Sequence, residues 1–297
     1  MIILPSYNPI IQSIINPLAQ EKKVTWKVLR LDLIDELVGG NKLFKLRYNL
    51  EEAQKNNLPV LTFGGAYSNH IIATAKACLL NHIPCIGIIR GEKTAELNPV
   101  LKAAEDFGMK LHFVSREEYR RRGEEEYQNE LQNKFGTHFI IPEGGGNELG
   151  VKGCMEILKP IEEEFHFVFA PVGSGGTLAG LILSAPAKTK VIGVAVLKGE
   201  KYLEKTLQQL LGSSVANRSK HWHINHNYHF SGYAKWNDEL INFIQTFQTE
   251  TSIPLEPIYS GKLFFAVNDL MNKNFFPPDS NILCIHTSGL FSGKFLK

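Results

Sequence analysis

A glycine-rich segment at 171–180, with the sequence PVGSGGTLAG, carries the strongest chemical signal in the chain. It follows an apolar run typical of a buried strand and precedes a stretch typical of a helix. Glycines permit positive φ angles and close backbone approach, so successive N–H groups can converge on an anion at the helix start. Those donors would come from Gly173, Ser174, Gly175, Gly176 and Thr177. The segment predicts a phosphate-binding loop, although an ordinary strand–helix turn has the same pattern.

Two lysines, Lys42 and Lys45, follow a glycine pair in VGGNKLFKL at 38–46. A lysine that a glycine turn holds inward loses hydration, which lowers the pKa of its amine and frees it to attack a carbonyl. Lys42 is therefore a candidate for a covalent bond to a carbonyl compound. A surface lysine at a helix start is the commoner explanation of the same spacing.

The segment FGGAYSNH at 63–70 ends a predicted strand with two glycines and places Ser68 where a helix N-cap belongs. The N–H groups of such a helix start can bind a substrate carboxylate. Asn69 and His70 add polar side chains that we expect to point into the same cleft. A plain capping serine remains the alternative.

A tyrosine, Tyr259, lies in a predicted loop before a helix in LEPIYSGKLFFAV at 255–267. Its hydroxyl can serve as a general acid or base. A half-buried packing tyrosine is the more frequent role of this residue type.

The elements that must position these residues alternate between strands and helices. Strands are predicted at 59–64, 83–90, 110–115, 137–146, 165–176, 190–196 and 281–289. Helices are predicted from 68 to 80, from 98 to 107, and as one long charged helix ending near 133. Strands that alternate with helices are typical of parallel sheets covered on both faces. The sequence thus predicts an α/β fold with two open, mostly parallel twisted sheets flanked by helices.

Charge and cysteine content exclude several classes of protein. The chain has 32 Lys and Arg residues against 30 Asp and Glu residues, without the basic excess of a nucleic-acid-binding protein. No apolar run has the length of a membrane helix, and the N-terminus lacks the basic start of a signal peptide, so we expect a cytoplasmic protein. The cysteines form no CxxC pair and predict buried free thiols. They are Cys78, Cys85, Cys154 and Cys284.

Four histidines lie close together in HWHINHNYHF at 221–230. On a strand, His221 and His223 would share one face, as metal ligands can. No carboxylate or cysteine accompanies them at ligand spacing, so we predict no metal site.

Taken in order, these motifs resemble the 1-aminocyclopropane-1-carboxylate (ACC) deaminase / D-cysteine desulfhydrase family of pyridoxal-phosphate (PLP) enzymes of fold type II. The match runs from LRLD at 29–32 to HTSG at 286–289 and includes IPEGGGNELG at 141–150. The resemblance implies a small domain, 45–147, inserted in a large PLP-binding domain formed by 1–44 and 148–297. It also implies a homodimer.

For the cofactor, the resemblance implies that Lys42 of GGNK holds PLP as a Schiff base. Asn69 of SNH resembles the residue that binds the ring hydroxyl. Residues 173–177 resemble the phosphate-binding loop, and Lys45 would assist them.

For the substrate, a small amino acid, the resemblance places Ser68 beside the carboxylate. Tyr259 of YSGK and Tyr233 of SGYAK resemble two active-site tyrosines. The chain departs from the family pattern GGNKxRKL at Phe44, where an arginine is usual, and this departure bears on the choice of substrate.

Two hydroxyl residues, Ser260 and Thr287, bear on the reaction. Deaminases of the family resemble YEGK and HLGG where this chain has YSGK and HTSG. A carboxylate near the pyridine nitrogen keeps it protonated and makes the ring a stronger electron sink, which opening a cyclopropane requires. A hydroxyl partner stabilises a neutral nitrogen, which suffices when a thiolate leaves from Cβ. We therefore predict β-elimination from D-cysteine or a related small D-amino acid.

Three other functions remain compatible with the sequence. ACC deamination uses the same scaffold. A non-catalytic protein that binds PLP or another phosphate ligand would also need the glycine loop. A nicotinamide-dependent oxidoreductase is the third, although the GxGGxxxG spacing matches a dinucleotide-binding motif poorly.

Overall fold

The computed structural model describes residues 2–212 and 221–287. Ser288 and Gly289 of the HTSG motif therefore lie outside the described residues. Among the helices within these ranges, none has the length and apolar character needed to cross a lipid bilayer.

Ten strands of the described residues form two sheets. They are β1 (Ile11–Ser13), β2 (Thr25–Arg30), β3 (Val60–Gly65), β4 (Cys85–Arg90), β5 (Lys110–Val114), β6 (Phe139–Ile141), β7 (Phe167–Val172), β8 (Lys190–Ala195), β9 (Trp222–Asn225) and β10 (Asn281–His286). One sheet has the order β1-β2-β10-β7-β8-β9 and the other the order β5-β4-β3-β6. Only the pairing of β1 with β2 is antiparallel within these ranges. The predicted fold class is confirmed.

Helices cover both sheets. They are α1 (Pro17–Glu21), α2 (Asn41–Lys55), α3 (Asn69–Leu80), α4 (Pro99–Asp106), α5 (Arg116–Arg120), α6 (Glu125–Phe135), α7 (Glu148–Cys154), α8 (Gly176–Ser184), α9 (Glu200–Leu211), α10 (Asp238–Thr251) and α11 (Ser260–Asn272). Two of the buried apolar clusters use residues of the six-stranded sheet, and β7 is buried along its whole length. The fully covered strand explains its unbroken apolar sequence.

The prediction of one long charged helix after residue 115 is wrong. A 3-10 turn at Arg121–Gly123 separates α5 from α6. Gly123 lowers the local helix propensity, and the Arg121 guanidinium bonds Glu124 and Glu130 across the break. The predicted buried free thiols are confirmed, since all four cysteines are buried and none forms a disulfide.

Helices α2, α7 and α8 pack closely against one another between the elements of the two sheets. A Cβ on Gly153 of α7 would lie 1.8 Å from the carbonyl oxygen of Phe44 in α2, so only glycine fits there. A Cβ on Gly180 of α8 would lie 2.4 Å from Cβ of Cys154 in α7. Helix α2, which carries both lysines, is thereby fixed against the helix that follows the glycine loop.

All strands of the four-stranded sheet lie between residues 60 and 141, and those of the six-stranded sheet lie on either side of them. We propose on this basis the division into a domain at 45–147 and a larger one formed by 1–44 and 148–297.

Candidate active site

Three helix starts meet at the carboxyl ends of the parallel strands, where open α/β sheets bind ligands. The glycine loop follows β7 and leads into α8, Ser68 leads from β3 into α3, and Gly40 begins α2. These segments come from both sheets, and the bond between Lys45 of α2 and Ser174 of the glycine loop joins two of them directly.

The glycine loop fits a phosphate group. Gly175 has a φ of 80° at the N-cap of α8, a conformation that favours glycine. Nζ of Lys45 lies 3.0 Å from Oγ of Ser174 and 2.9 Å from the carbonyl oxygen of Gly144. A Cβ on Gly176 would lie 3.5 Å from Cε of Lys45, so the missing side chain leaves the lysine room. An ammonium, a hydroxyl and a helix N-terminus form a donor set suited to a phosphate.

Lys42 is bound to this loop through Asn41. Nζ of Lys42 donates to Oδ1 of Asn41 at 2.7 Å, and Nδ2 of Asn41 donates to Oγ1 of Thr177 at 2.8 Å. The backbone N–H of Asn41 bonds the carbonyl oxygen of Thr287 at 3.3 Å. Sequence reasoning missed Asn41, although it lies within the GGNK motif.

The environment of Lys42 favours a free amine. Burial, and secondarily the positive charge of Lys45, lowers the pKa of Lys42 from 10.5 to about 7. The pKa of Lys45 is also lowered, chiefly by burial. A neutral amine at Lys42 is the nucleophilic form that binding to a carbonyl requires.

The lowered pKa predicts that Lys42 decreases the free energy of unfolding of the cofactor-free protein, by an amount that depends on pH. The unfolded chain retains the lysine's proton up to about pH 10.5, whereas the folded chain loses it above about pH 7. We expect Lys42→Met to raise the free energy of unfolding most below pH 7, with the gain shrinking as the pH rises toward 10.5. Urea unfolding across this range measures it, with exposed Lys55→Met of the same helix as the control. A pH-independent difference would contradict the shift.

Ser68 caps α3. Its Oγ accepts from the N–H groups of His70 at 3.2 Å and Ile71 at 3.4 Å. These bonds use the oxygen as an acceptor, so the hydroxyl hydrogen remains able to donate to a substrate. A Cβ on Gly64 would lie 2.9 Å from this Oγ, which explains the glycine at the end of β3. Asn69 is half-buried in the first turn beside the cap.

His70 lies beneath the site. Its Nε2 and Oγ1 of Thr62 are 2.8 Å apart, and Thr62 donates its own hydrogen to the carbonyl oxygen of Ile141. The histidine Nε2 must then be the donor. Burial, then Lys42 and Lys45, lowers the pKa of His70 well below its ordinary value. His70 is thus a neutral residue that links α3 to the sheet. Its Nε2 bonds Thr62 and does not face the cleft, contrary to the expectation from the sequence.

The two tyrosines form a pair. The rings of Tyr233 and Tyr259 are 6.0 Å apart at 71° and make an edge contact. A Cβ on Gly173 would lie 3.3 Å from Cε1 of Tyr259, so the ring lies directly against the glycine loop. Burial is the largest cause that raises the pKa of each hydroxyl, that of Tyr259 well above its ordinary value. Both phenols therefore remain protonated near neutral pH.

Glu256 organises the start of α11 and was missed by sequence reasoning. Its buried carboxylate accepts from the N–H groups of Ile258, Tyr259 and Ser260. Ser260 is fully buried, and its Oγ donates to Oε1 of Glu256 at 3.1 Å and accepts from the Glu256 N–H at 2.9 Å. An acidic residue shortly before a helix start is the signal that was available. Thr287 is buried at the end of β10.

The fold and this site define a PLP-dependent enzyme. A model of the pyridoxal-phosphate dependent enzyme family matches residues 15–288. The chain belongs to that family, and pyridoxal phosphate is its cofactor.

Two relatives and one solved structure show which members of the family the chain resembles. The chain is 31% identical to the mitochondrial bifunctional D-cysteine desulfhydrase/1-aminocyclopropane-1-carboxylate deaminase of Arabidopsis thaliana, over 89% of this chain and 72% of that one. It is 25% identical to the D-cysteine desulfhydrase of Serratia proteamaculans, over 88% of this chain and 86% of that one. A crystal structure of an ACC deaminase homologue superposes with a TM-score of 0.83 at 27% identity, over 99% of this chain and 92% of that one. The predicted resemblance is confirmed.

Proposed function

We propose that this chain is a PLP-dependent lyase that acts on a small D-amino acid, with D-cysteine as its substrate. The observation that carries the proposal is the pair of hydroxyl side chains, Ser260 and Thr287, at the two positions where we expect the partner of the ring nitrogen. A hydroxyl favours a neutral nitrogen, and the weaker electron sink is sufficient for loss of a thiolate. The D-cysteine desulfhydrase of Serratia proteamaculans supports the choice, and the bifunctional relative of Arabidopsis thaliana is compatible with it.

The overall reaction converts D-cysteine and water to pyruvate, ammonia and sulfide. PLP, when bound, supplies an electron sink for the negative charge that develops at the substrate Cα. Lys42 would hold the cofactor covalently, and the loop from Gly173 to Thr177 would bind its phosphate together with Lys45. Asn69 would bind the ring hydroxyl.

Lys42 is the proposed general base. Its amine, whose pKa burial lowers to about 7, is about half unprotonated at pH 7, and when not attached to the cofactor it would accept the Cα proton. Oδ1 of Asn41 accepts from Nζ at 2.7 Å and would orient the amine. Ser68, whose hydroxyl hydrogen remains able to donate, would bind the substrate carboxylate at the start of α3.

Tyr259, paired with Tyr233, is the proposed general acid. Its raised pKa keeps the phenol protonated, so it can donate to the departing sulfur but cannot accept a proton from carbon. The two roles assigned to Lys42 and Tyr259 follow from opposite shifts in pKa.

ACC deamination is the second candidate, and the position of Glu256 favours it. Its carboxylate oxygen lies 3.1 Å from Oγ of Ser260, so the serine donates its hydrogen to the carboxylate. A serine oxygen oriented in this way can accept from a protonated ring nitrogen, which would restore the stronger electron sink.

A substrate assay separates the two candidates. We expect kcat/KM for D-cysteine to exceed that for ACC by about 10²-fold or more, with pyruvate and sulfide as products. L-Cysteine serves as the stereochemical control. Preferential formation of 2-oxobutyrate from ACC would reverse the assignment, and the absence of keto acid from every substrate would contradict both and favour a binding protein.

We further propose a cytoplasmic location and a homodimer. Four buried free cysteines are compatible with a reducing compartment, and the family resemblance supports the homodimer.

A further inference from the structure

A buried ammonium lies behind the tyrosine pair. The side chain of Lys262, in the first turn of α11, is fully buried. Its Nζ donates to the carbonyl oxygens of His229 and Gly232, each at 2.8 Å, and lies 3.4 Å from that of Val196. A lysine is almost never fully buried without such partners, because its charge must exchange water for other acceptors. All three ammonium hydrogens are therefore used inside the protein.

The carbonyls that hold this ammonium belong to an unusual backbone. Phe230, Ser231 and Ala234 have φ angles of 50°, 69° and 52°, and Gly232 has a φ of 123°. Residues with side chains adopt this region rarely and at an energetic cost, so surrounding contacts must hold them there. Tyr233 lies within this stretch, and Lys262 provides two of the contacts, one on each side of Ser231.

Both tyrosines thus depend on charges at the start of α11. Glu256 accepts from the N–H of Tyr259, whereas Nζ of Lys262 donates to the carbonyl oxygen of Gly232, just before Tyr233. The carboxylate of Glu256 thus holds the backbone of Tyr259, and the ammonium of Lys262 holds the backbone next to Tyr233. Within the part of the chain that the structure describes, Lys262 is the side chain that bonds the carbonyls of both His229 and Gly232, which also accept the backbone N–H groups of Gly232 and Lys235.

We propose that Lys262 is a positioning residue: its ammonium, bound by the carbonyls of His229 and Gly232, holds the Tyr233 segment so that the phenol meets Tyr259. The functional consequence rests on the proposed function, in which the tyrosine pair supplies a proton. Lys262 would act through this backbone segment, whose carbonyls its ammonium bonds.

A double-mutant cycle tests this role. Lys262→Met should lower kcat about 30-fold or more while KM changes by less than about threefold, because the tyrosine pair is displaced but the substrate-binding residues are not. In a Tyr233→Phe background the same change should alter kcat by less than about threefold, since the hydroxyl that Lys262 positions is already gone. If Lys262→Met lowers kcat by the same factor with and without Tyr233→Phe, the inference is overturned. Lys273→Met, at the exposed end of α11, is the matched control.

Hydrogen exchange in the protein stripped of cofactor gives a readout that needs no activity. Lys262→Met should speed exchange of the amides of 229–235 about tenfold or more and leave β7 and β10 unchanged. Unchanged exchange at 229–235 would overturn the inference even if activity fell. If wild type degrades no amino acid but the segment still loosens, the proposed function fails and the positioning contact stands. Should Lys262→Met not fold, Lys262→Gln, which keeps two N–H donors, is measured with the same expected direction.

Discussion

Replacing Lys42 with alanine is expected to lower kcat by about 10⁴-fold or more, because the variant loses both the covalent attachment of PLP and the general base. The expectation rests on geometry as well as on resemblance. Asn41 directs Nζ of Lys42 by a bond of 2.7 Å, and burial lowers the pKa of the amine to about 7. Lys55, at the other end of the same helix, is exposed.

Three measurements on Lys42→Ala check this role. The purified wild type mixed with PLP should be yellow and should fix the cofactor covalently after borohydride, with the added mass on the peptide that contains Lys42. The variant should bind PLP without fixing it. Lys55→Ala on the same helix should behave as the wild type. A variant that still fixes the cofactor after reduction would show that another amine carries it.

Local sequence patterns predicted the features of the site that depend on contacts between residues close in sequence. Ser68 caps α3 through bonds to the second and third following residues, and Gly175 adopts its positive φ within the glycine loop itself. The apolar runs likewise predict strands such as β7 and β10 because a covered parallel strand needs no polar face.

The contacts that complete the site span long distances in sequence, and no pattern within one segment contains them. Asn41 meets Thr177 across 136 residues, and Lys262 meets His229 across 33. The orientation of Ser260 could not be inferred from its own identity, because it depends on the carboxylate of Glu256. The sequence alone suggested a hydroxyl that serves the cofactor ring, whereas the structure gives that hydroxyl a second partner. The substrate assay is decisive for this reason.

Replacing Tyr259 with phenylalanine is the second large effect that we expect. The variant removes one hydroxyl, keeps the ring against Gly173, and leaves Lys42 and the glycine loop intact. We expect kcat to fall about 10²-fold or more, the usual contribution of a positioned acid, with little change in PLP binding or KM. Exposed Tyr202→Phe is the control.

The pH dependence of this loss distinguishes an acid from a base. Because burial and Tyr233 raise the pKa of Tyr259 well above its ordinary value, the phenol is protonated throughout the range from about pH 6 to about pH 9. The ratio of wild-type to Tyr259→Phe kcat should therefore stay constant across that range. A base would instead act as the phenolate, whose fraction rises about tenfold per pH unit below its pKa, so the ratio would climb with pH. A climbing ratio would assign the Cα proton to Tyr259 and leave Lys42 with cofactor attachment alone.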